Sequence, residues 1–139
     1  MSMEEFSLLA TNHCHEEIFS SAHFYKNPNW TDQQNREAFG ACFTEYGHGH
    51  NYRLQVEFNC PSEAVSAVKE LLSRECASLD HQHLNFAVEY FSNHIPTTEN
   101  IAIYLHQRLK MNLPQVHVVR LKLFEMDDLW VELKDMPHE

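Results

Sequence analysis

Residues 50–58 have the sequence HNYRLQVEF, in which apolar and polar side chains alternate after the first position. The apolar set is Tyr52, Leu54, Val56 and Phe58, and the polar set is Asn51, Arg53, Gln55 and Glu57. Successive side chains of a β-strand point to opposite faces of its sheet, so this period of two predicts a strand that is buried on one face. The elements that cover this face must come from the flanking sequence.

Three further segments are predicted to form strands. They are residues 6–25, ending near His23, and residues 116–126 and 128–135, which are joined at Asp127-Asp128 as a hairpin. Residues 26–42 begin with turn-forming residues and continue into a short stretch that is compatible with a helical turn.

Two longer segments have the spacing of amphipathic helices. Ser62 is predicted to cap the first helix, which extends to about residue 78. Thr97 or Thr98 is predicted to cap the second, and Pro114 to end it. The apolar stripes are Val65, Val68, Leu71, Leu72 and Cys76 in the first helix and Ile101, Leu105 and Leu109 in the second.

The resulting order is β-β-α-α-β-β, which predicts an α+β protein with an antiparallel sheet and two helices on one face. In segment 116–126 both faces contain apolar residues. We assign Val119, Leu121 and Leu123 to one face and Val118, Phe124 and Met126 to the other. Because two helices cover only one face, the second apolar face predicts an oligomer.

Length and composition limit the classes of function. The 139 residues form one domain, 1–139, and the formal net charge of −10 argues against a nucleic-acid partner. The chain has neither the ~20 consecutive apolar residues that a membrane helix needs nor a convincing signal peptide, so we expect a cytoplasmic protein without a membrane partner. Its four cysteines lack C-x-x-C spacing and are expected to be free thiols.

The eleven histidines include three H-x-H pairs, at residues 13 and 15, 48 and 50, and 81 and 83. On a strand, residues i and i+2 share a face, so such a pair can offer two imidazoles to one metal ion. The pair His48 and His50 opens the strongest strand, beside Gly47 and Gly49, and His23 is a candidate third ligand. From the residues alone, a zinc site and three solvated histidines both remain open.

Two other groups are candidates for proton transfer. Asp80 directly precedes His81 and could orient its imidazole, although an aspartate at a helix end followed by an exposed histidine gives the same dipeptide. Cys42 lies six residues before His48, and a thiol near a cation can become a base or nucleophile. A cysteine that only packs in the interior would give the same sequence.

Five motifs occur together and in order: IFSSAH (18–23), FGACFTEYGHGHNY (39–52), LDHQHLN (79–85), PTTEN (96–100) and LKLFEM (121–126). With this set, over roughly residues 15–135, the chain resembles the 6-pyruvoyltetrahydropterin synthases and the related 6-carboxytetrahydropterin synthases of queuosine biosynthesis. The family fold is the tunnelling fold, in which β-β-α-α-β-β units join into a β-barrel. The resemblance implies a homohexamer, a dimer of trimers, with active sites at subunit interfaces.

The resemblance also implies roles for particular residues. The zinc ligands would be His23, His48 and His50, and the catalytic set would be Cys42, Asp80 and His81. Glu125 would anchor the pterin, with Thr97, Thr98 and Glu99 along the same pocket. The implied substrate is 7,8-dihydroneopterin triphosphate, which belongs to tetrahydrobiopterin biosynthesis in the pyruvoyl branch of the family.

The sequence departs from the family pattern in three places. The spacing C-x5-H-G-H favours 6-pyruvoyltetrahydropterin over 6-carboxytetrahydropterin as the product. The family's Gly-Met-Val-x-Asp-Phe stretch is missing near residues 59–65, and Glu45 is a rival base to Cys42. The motifs are also compatible with a pterin-binding relative that lacks catalysis and with a relative that cleaves dihydroneopterin in an aldol-type reaction. The sequence does not locate the triphosphate, and Lys26, Arg36 and Arg53 are interpreted as surface charges.

Overall fold

A computed structural model describes residues 10–44 and 47–135. We number the elements in chain order, leaving aside two short 3-10 turns, Gly40–Cys42 and Ser62–Ala64. The strands are β1 (Ala10–His23), β2 (His48–Pro61), β3 (Gln82–His83), β4 (His117–Met126) and β5 (Leu129–Leu133). The helices are α1 (Asp32–Phe39), α2 (Val65–Leu79), α3 (Leu84–Ala87), α4 (Tyr90–Asn93) and α5 (Thr98–Asn112).

The described strands form one sheet with the order β3-β1-β2-β4-β5. The four longer strands pair antiparallel to their neighbours, as the sequence predicted. The short edge strand β3 instead pairs parallel to β1, through Ser21 and Gln82. The sheet is therefore mixed, because the chain passes through α2 after leaving β2 and returns to the sheet edge in the direction of β1.

The alternating stretch that predicted β2 forms the centre of the core. Tyr52, Leu54, Val56 and Phe58 are all nearly inaccessible to solvent, and they face the two long helices. The α2 side chains Val68, Leu71 and Leu72 and the α5 side chains Ile101 and Leu105 pack against them. Both apolar stripes are thus confirmed, and the helices lie on one face of the sheet.

The helix starts differ from the prediction in one case. Thr97 caps α5 as predicted, since its hydroxyl accepts a hydrogen bond from the Asn100 N–H at 3.1 Å. The predicted cap at Ser62 is wrong. Strand β2 continues to Pro61, a 3-10 turn follows, and α2 begins at Val65 without a side-chain cap. Strand β2, the 3-10 turn and α2 therefore follow one another directly at the position where the sequence lacks the family's Gly-Met-Val-x-Asp-Phe stretch.

The assignment of faces in β4 is also partly wrong, because β4 contains a bulge. Glu57 pairs with Arg120 but Phe58 pairs with Val118, so the register skips Val119. The alternation therefore inverts, and Val118 shares the covered face with Leu121 and Leu123 and is fully buried. A bulge depends on the pairing of two strands, so the period of one strand cannot show it.

The uncovered face of the sheet combines charged side chains with apolar ones, among them Ile18, Phe124 and Trp130. Arg53 lies over the Phe124 ring at 4.1 Å and Lys122 over the Trp130 ring at 4.2 Å. Ion pairs join Arg120 to Glu132 and Arg53 to Glu16 on the same face. The exposed apolar side chains Ile18 and Trp130 on this face are compatible with the oligomer that the sequence predicted, which stays a prediction. No helix within the described residues has the length and apolar content to cross a membrane.

Candidate metal centre and active site

The pairing of β1 with β2 brings three histidines together at one end of the sheet. His23 lies directly opposite His48, and His50 follows on the same face of β2. The centroid of the His23 ring is 4.8 Å from that of His48 and 5.2 Å from that of His50, and the latter two rings are 5.0 Å apart. The register of β1 and β2 thus brings together the three histidines that the sequence indicated as candidate ligands.

Strand β4 adds a carboxylate to this cluster. The candidate ligand atoms of His23, His48, His50 and Glu125 all lie within 4.8 Å of one another. Oε1 of Glu125 is 2.7 Å from Nε2 of His50 and 3.7 Å from Nε2 of His23. Its second oxygen, Oε2, accepts a 2.6 Å hydrogen bond from the Thr98 hydroxyl at the start of α5. Glu125 therefore belongs to the metal cluster, in addition to the pterin-anchoring role that the resemblance implies.

The donor atoms of this cluster fit a divalent metal ion. Nε2 of His23 and Nδ1 of His48 are buried and have no hydrogen-bond partner among the described residues, and Nε2 of His50 is buried against Oε1 of Glu125 at 2.7 Å. Buried nitrogens of this kind normally find a partner, and three imidazoles with one carboxylate form a donor set that zinc and similar ions favour. Coordination would satisfy all three nitrogens at once.

Tyr52 orients one of these histidines. Its hydroxyl is 2.9 Å from Nδ1 of His23, which leaves Nε2 directed at Glu125. A hydrogen bond at the second ring nitrogen is the usual way in which a protein fixes a metal-binding imidazole. Tyr52 stands two residues after His50 on the same strand face, so the pattern H-x-H-x-Y carried a signal that the sequence analysis missed.

The protonation of the histidines agrees with a ligand role. Burial, with smaller contributions from His48, His50 and His83, lowers the pKa of His23 to about 3. Burial and His50 also lower the pKa of His48, although Glu125 opposes this effect. At neutral pH these imidazoles are therefore neutral, which is the form that binds metal.

Cys42 lies at the edge of the same cluster. It ends the 3-10 turn after α1, and its carbonyl oxygen accepts a 2.8 Å hydrogen bond from the N–H of Tyr25, two residues after His23. Burial and the charge of Glu125 raise the pKa of the half-buried Cys42 thiol. A thiolate at this position needs a cationic group nearby, and a divalent ion on the histidines would be one. The rival base, Glu45, lies outside the described residues.

The Asp80–His81 pair forms as the sequence proposed, at the end of α2. Nδ1 of His81 is 2.8 Å from Oδ2 of Asp80, and Oδ1 of Asp80 accepts a 2.8 Å hydrogen bond from the Ser20 N–H. The Ser20 bond and, against an opposing effect of desolvation, the contacts with His81 lower the pKa of Asp80. The His81 side chain is 82% exposed. It lines an open cleft of about 500 Å³ that also contacts His50.

Cys42 and the Asp80–His81 pair share no hydrogen bond or ion pair among the described residues. The three residues at the start of α5 that the resemblance assigns to the pocket have different environments. Thr98 contacts Glu125, whereas the hydroxyl of Thr97 is used in the helix cap and Glu99 is exposed in the first turn. All four cysteines are free, and of these Cys60 and Cys76 are buried.

The fold and the cluster define a class of protein, an α+β tunnelling-fold protein with a histidine-carboxylate cluster that could hold a metal ion. A solved 6-pyruvoyl tetrahydropterin synthase from Caenorhabditis elegans superposes with a TM-score of 0.81 at 27% identity, covering 91% of this chain and 96% of that one. The Plasmodium falciparum enzyme of the same name shares the fold, with a TM-score of 0.57 at 15% identity over 91% of this chain and 98% of its own.

The particular family follows from the sequence. The family model described as 6-pyruvoyl tetrahydropterin synthase matches residues 13–135, and the chain belongs to this family. The human 6-pyruvoyl tetrahydrobiopterin synthase is 30% identical over 118 residues, which cover 79% of this chain and 81% of that protein. The Drosophila melanogaster protein of the same name is 34% identical over 105 residues, covering 70% of this chain but only 62% of its own length.

A relative with a different name has similar identity. The dihydroneopterin monophosphate aldolase of Pyrococcus furiosus is 30% identical over 122 residues, covering 84% of this chain and 90% of that protein. The relatives thus support an enzyme of the pterin-synthase type, and the aldolase supplies a specific second candidate.

Proposed function

We propose that this protein is a zinc-dependent pterin synthase that converts 7,8-dihydroneopterin triphosphate to 6-pyruvoyltetrahydropterin with elimination of triphosphate. The observation that carries the proposal is the cluster of His23, His48, His50 and Glu125, whose candidate ligand atoms all lie within 4.8 Å of one another, in a member of this family. The names of the animal relatives support the pyruvoyl product. We further propose that the protein acts in the cytoplasm on this small molecule, without nucleic-acid or membrane partners.

Each group has a role in this reaction. A zinc ion bound by the three histidines would supply a Lewis acid that makes the side-chain hydroxyls of the substrate, and the neighbouring C–H bonds, more acidic. Cys42 would take a proton from the substrate side chain as a thiolate. His81, oriented by Asp80, would return a proton while triphosphate leaves. The carboxylate of Glu125 would accept hydrogen bonds from the N–H groups of the pterin ring.

The exposure of His81 supports an active site shared between subunits. Its side chain is 82% exposed and is held by Asp80, so it is accessible to a neighbouring chain. We therefore propose a homohexamer, a dimer of trimers, in which the Asp80–His81 pair of one subunit completes the metal site of a neighbour. The uncovered face of the sheet would then line the interior of the barrel.

Metal analysis of the parent protein and of His48→Ala tests the site. We expect about one zinc ion per chain in the parent and less than about a tenth of that in the variant, because three ligands are needed for tight binding. His13→Ala is the matched control, since it removes a histidine from another H-x-H pair on the same sheet and should leave the zinc content unchanged. Equal zinc in all three proteins would refute the assignment of ligands.

Product analysis separates the candidate reactions. Incubation with 7,8-dihydroneopterin triphosphate should release triphosphate without acetaldehyde if the product is 6-pyruvoyltetrahydropterin. Acetaldehyde together with triphosphate would identify a 6-carboxytetrahydropterin synthase of the queuosine pathway. A two-carbon aldehyde from dihydroneopterin monophosphate would identify aldol cleavage, the second candidate, which the similarity to the Pyrococcus aldolase favours. Absence of any product would identify a non-catalytic pterin-binding relative.

A further inference from the structure

A second cleft borders the metal centre on the side of Cys42. Its volume is about 450 Å³, and it is lined by Phe24, Lys26, Asp32, Arg36, Phe43 and Thr44. Two chain segments place it beside the site. Phe24 directly follows the metal ligand His23, and Phe43 directly follows Cys42. The Tyr25 N–H to Cys42 carbonyl bond holds these segments next to each other.

Two cationic side chains line this one cleft of an acidic protein. The net charge of the protein is −10, yet Lys26 and Arg36 both line this one cleft, with Asp32 as the only carboxylate among its lining residues. Neither cation forms an ion pair with any described residue, whereas five of the ten lysines and arginines do so: Arg53, Arg108, Lys110, Arg120 and Lys134. The guanidinium of Arg36 instead lies 5.8 Å from the centroid of the Phe43 ring.

The third feature is a hydroxyl group without a partner. Oγ1 of Thr44 is buried and forms no hydrogen bond with the described residues. A buried hydroxyl usually has a partner in the protein, in bound water or in a ligand. Thr44 is two residues from Cys42 in the chain and lines this cleft.

We propose that this cleft binds the triphosphate chain of the substrate, with Lys26 and Arg36 as its cationic contacts and Thr44 as a hydroxyl donor; this inference rests on the function proposed above. Phosphate oxygens accept hydrogen bonds and carry negative charge, and an arginine fork paired with a lysine is a common way to bind them. Lys26 and Arg36 are therefore assigned to substrate binding, in contrast to their interpretation as ordinary surface charges.

Binding of inorganic triphosphate, measured by titration calorimetry at fixed ionic strength, tests the cleft without any need for turnover. The test variant is the double substitution Lys26→Met with Arg36→Met. Its affinity should fall by at least about tenfold, because each charge-assisted contact is worth that factor. The matched control is Lys69→Met with Arg74→Met, which removes the same charge from two exposed, unpaired side chains of α2.

Three results would overturn the proposal: no binding of inorganic triphosphate to the parent protein, equal affinity in the parent and the test variant, or an equal loss in the α2 control. Thr44→Val is a second variant that keeps the shape of the side chain. It should weaken triphosphate binding several-fold, while the midpoint of thermal unfolding stays unchanged or rises because an unpartnered hydroxyl is removed. An unchanged affinity in this variant would remove Thr44 from the site.

Two further measurements separate this proposal from the proposed function. Dihydroneopterin, which lacks phosphates, should bind the parent and the Lys26/Arg36 variant equally, and the variant should show a raised KM for the triphosphate substrate. If the parent releases no product but binds triphosphate through these two cations, the cleft assignment stands and the proposed reaction is wrong. If turnover occurs with an unchanged KM in the variant, the reaction stands and the cleft assignment is wrong.

Discussion

Glu125 connects the candidate metal ligands to the start of helix α5 through its two carboxylate oxygens. Oε1 faces the imidazoles of His23 and His50, and Oε2 accepts the hydrogen bond from Thr98. The carboxylate is 7% exposed and the threonine 3% exposed, so each depends on the other to satisfy a buried polar atom. A single side chain on β4 thereby relates the helix α5 to the histidines of β1 and β2.

We expect Thr98→Val to lower both the affinity for dihydroneopterin and the free energy of unfolding. The substitution preserves volume but leaves Oε2 of Glu125 without its donor, which should cost about 1–3 kcal/mol in the free energy of unfolding. Dihydroneopterin affinity, measured by fluorescence, should also fall because the carboxylate is no longer fixed. Thr97→Ser retains the hydroxyl that caps α5 and is the control. Equal effects of the two substitutions would contradict the separate roles of these neighbouring threonines.

Glycine has a specific role at the start of strand β2. Gly47 has a φ of +80°, and a Cβ there would lie 2.6 Å from the His23 carbonyl oxygen and 2.8 Å from Nε2 of His83. Gly49 is different, because a Cβ there would meet only the Ser21 carbonyl oxygen, at 3.5 Å. Of these two glycines, only Gly47 is needed for the close approach of the chain to His23 and His83.

We expect Gly47→Ala to lose metal as well as stability. The strained backbone and the clash with His23 should cost about 2 kcal/mol or more and displace the adjacent ligand His48. Gly49→Ala, with an ordinary contact distance, should keep its metal, as measured by elemental analysis. Gly40→Ala is a second control, because Gly40 has a φ of +52° but open space around it. Metal loss in this control would show that backbone strain alone is responsible.

A polar cluster fixes the end of β5 against α5. Asp135 accepts hydrogen bonds from Lys110 at 2.7 Å and from the Val118 N–H at 2.8 Å, and Nε2 of His106 lies 2.7 Å from its other oxygen. Burial alone would raise the pKa of Asp135, but these hydrogen bonds outweigh it and lower the pKa. The cluster therefore links a helix and two strands through one carboxylate.

This cluster should make stability depend on pH in the acid range. A carboxyl whose pKa is lower in the folded state stabilises the fold above its unfolded pKa of about 3.9, and this contribution is lost as the pH falls through the folded value. Asp135→Asn should therefore be about 1–3 kcal/mol less stable at pH 7, with a smaller difference from the parent at pH 2. Asp128→Asn, in the exposed β4–β5 turn, should match the parent at both pH values in urea unfolding.

The sequence predicted those features that depend on local pattern and missed those that depend on pairing between elements. The alternation around Tyr52 and the H-x-H spacing of His48 and His50 are properties of one strand, and both predictions agree with the structure. The bulge at Val119 and the parallel strand β3 arise from how two segments pair. The membership of Glu125 in the metal cluster depends on β4 lying beside β2, so no spacing along the chain could have indicated it.

For the whole molecule, the proposed oligomer would decide which subunit supplies each proposed catalytic group. The Asp80–His81 pair is exposed, and Cys42 lies beside the metal cluster of its own chain. If both groups served one site within a chain, mixing two inactive variants could never restore a complete site. If they meet across an interface, mixed oligomers would contain some sites with both parent residues.

We therefore expect complementation between Cys42→Ala and His81→Ala. When equal amounts are unfolded together and refolded, random assembly gives about a quarter of the sites an intact Cys42 from one subunit and an intact His81 from its neighbour. Triphosphate release should recover to about that fraction of the parent rate. Mixing Cys42→Ala with the Cys42→Ala/His81→Ala double variant should restore nothing, since no subunit then supplies the thiol. Failure of the first mixture, in oligomers whose mixing is verified by mass spectrometry, would assign both groups to one chain.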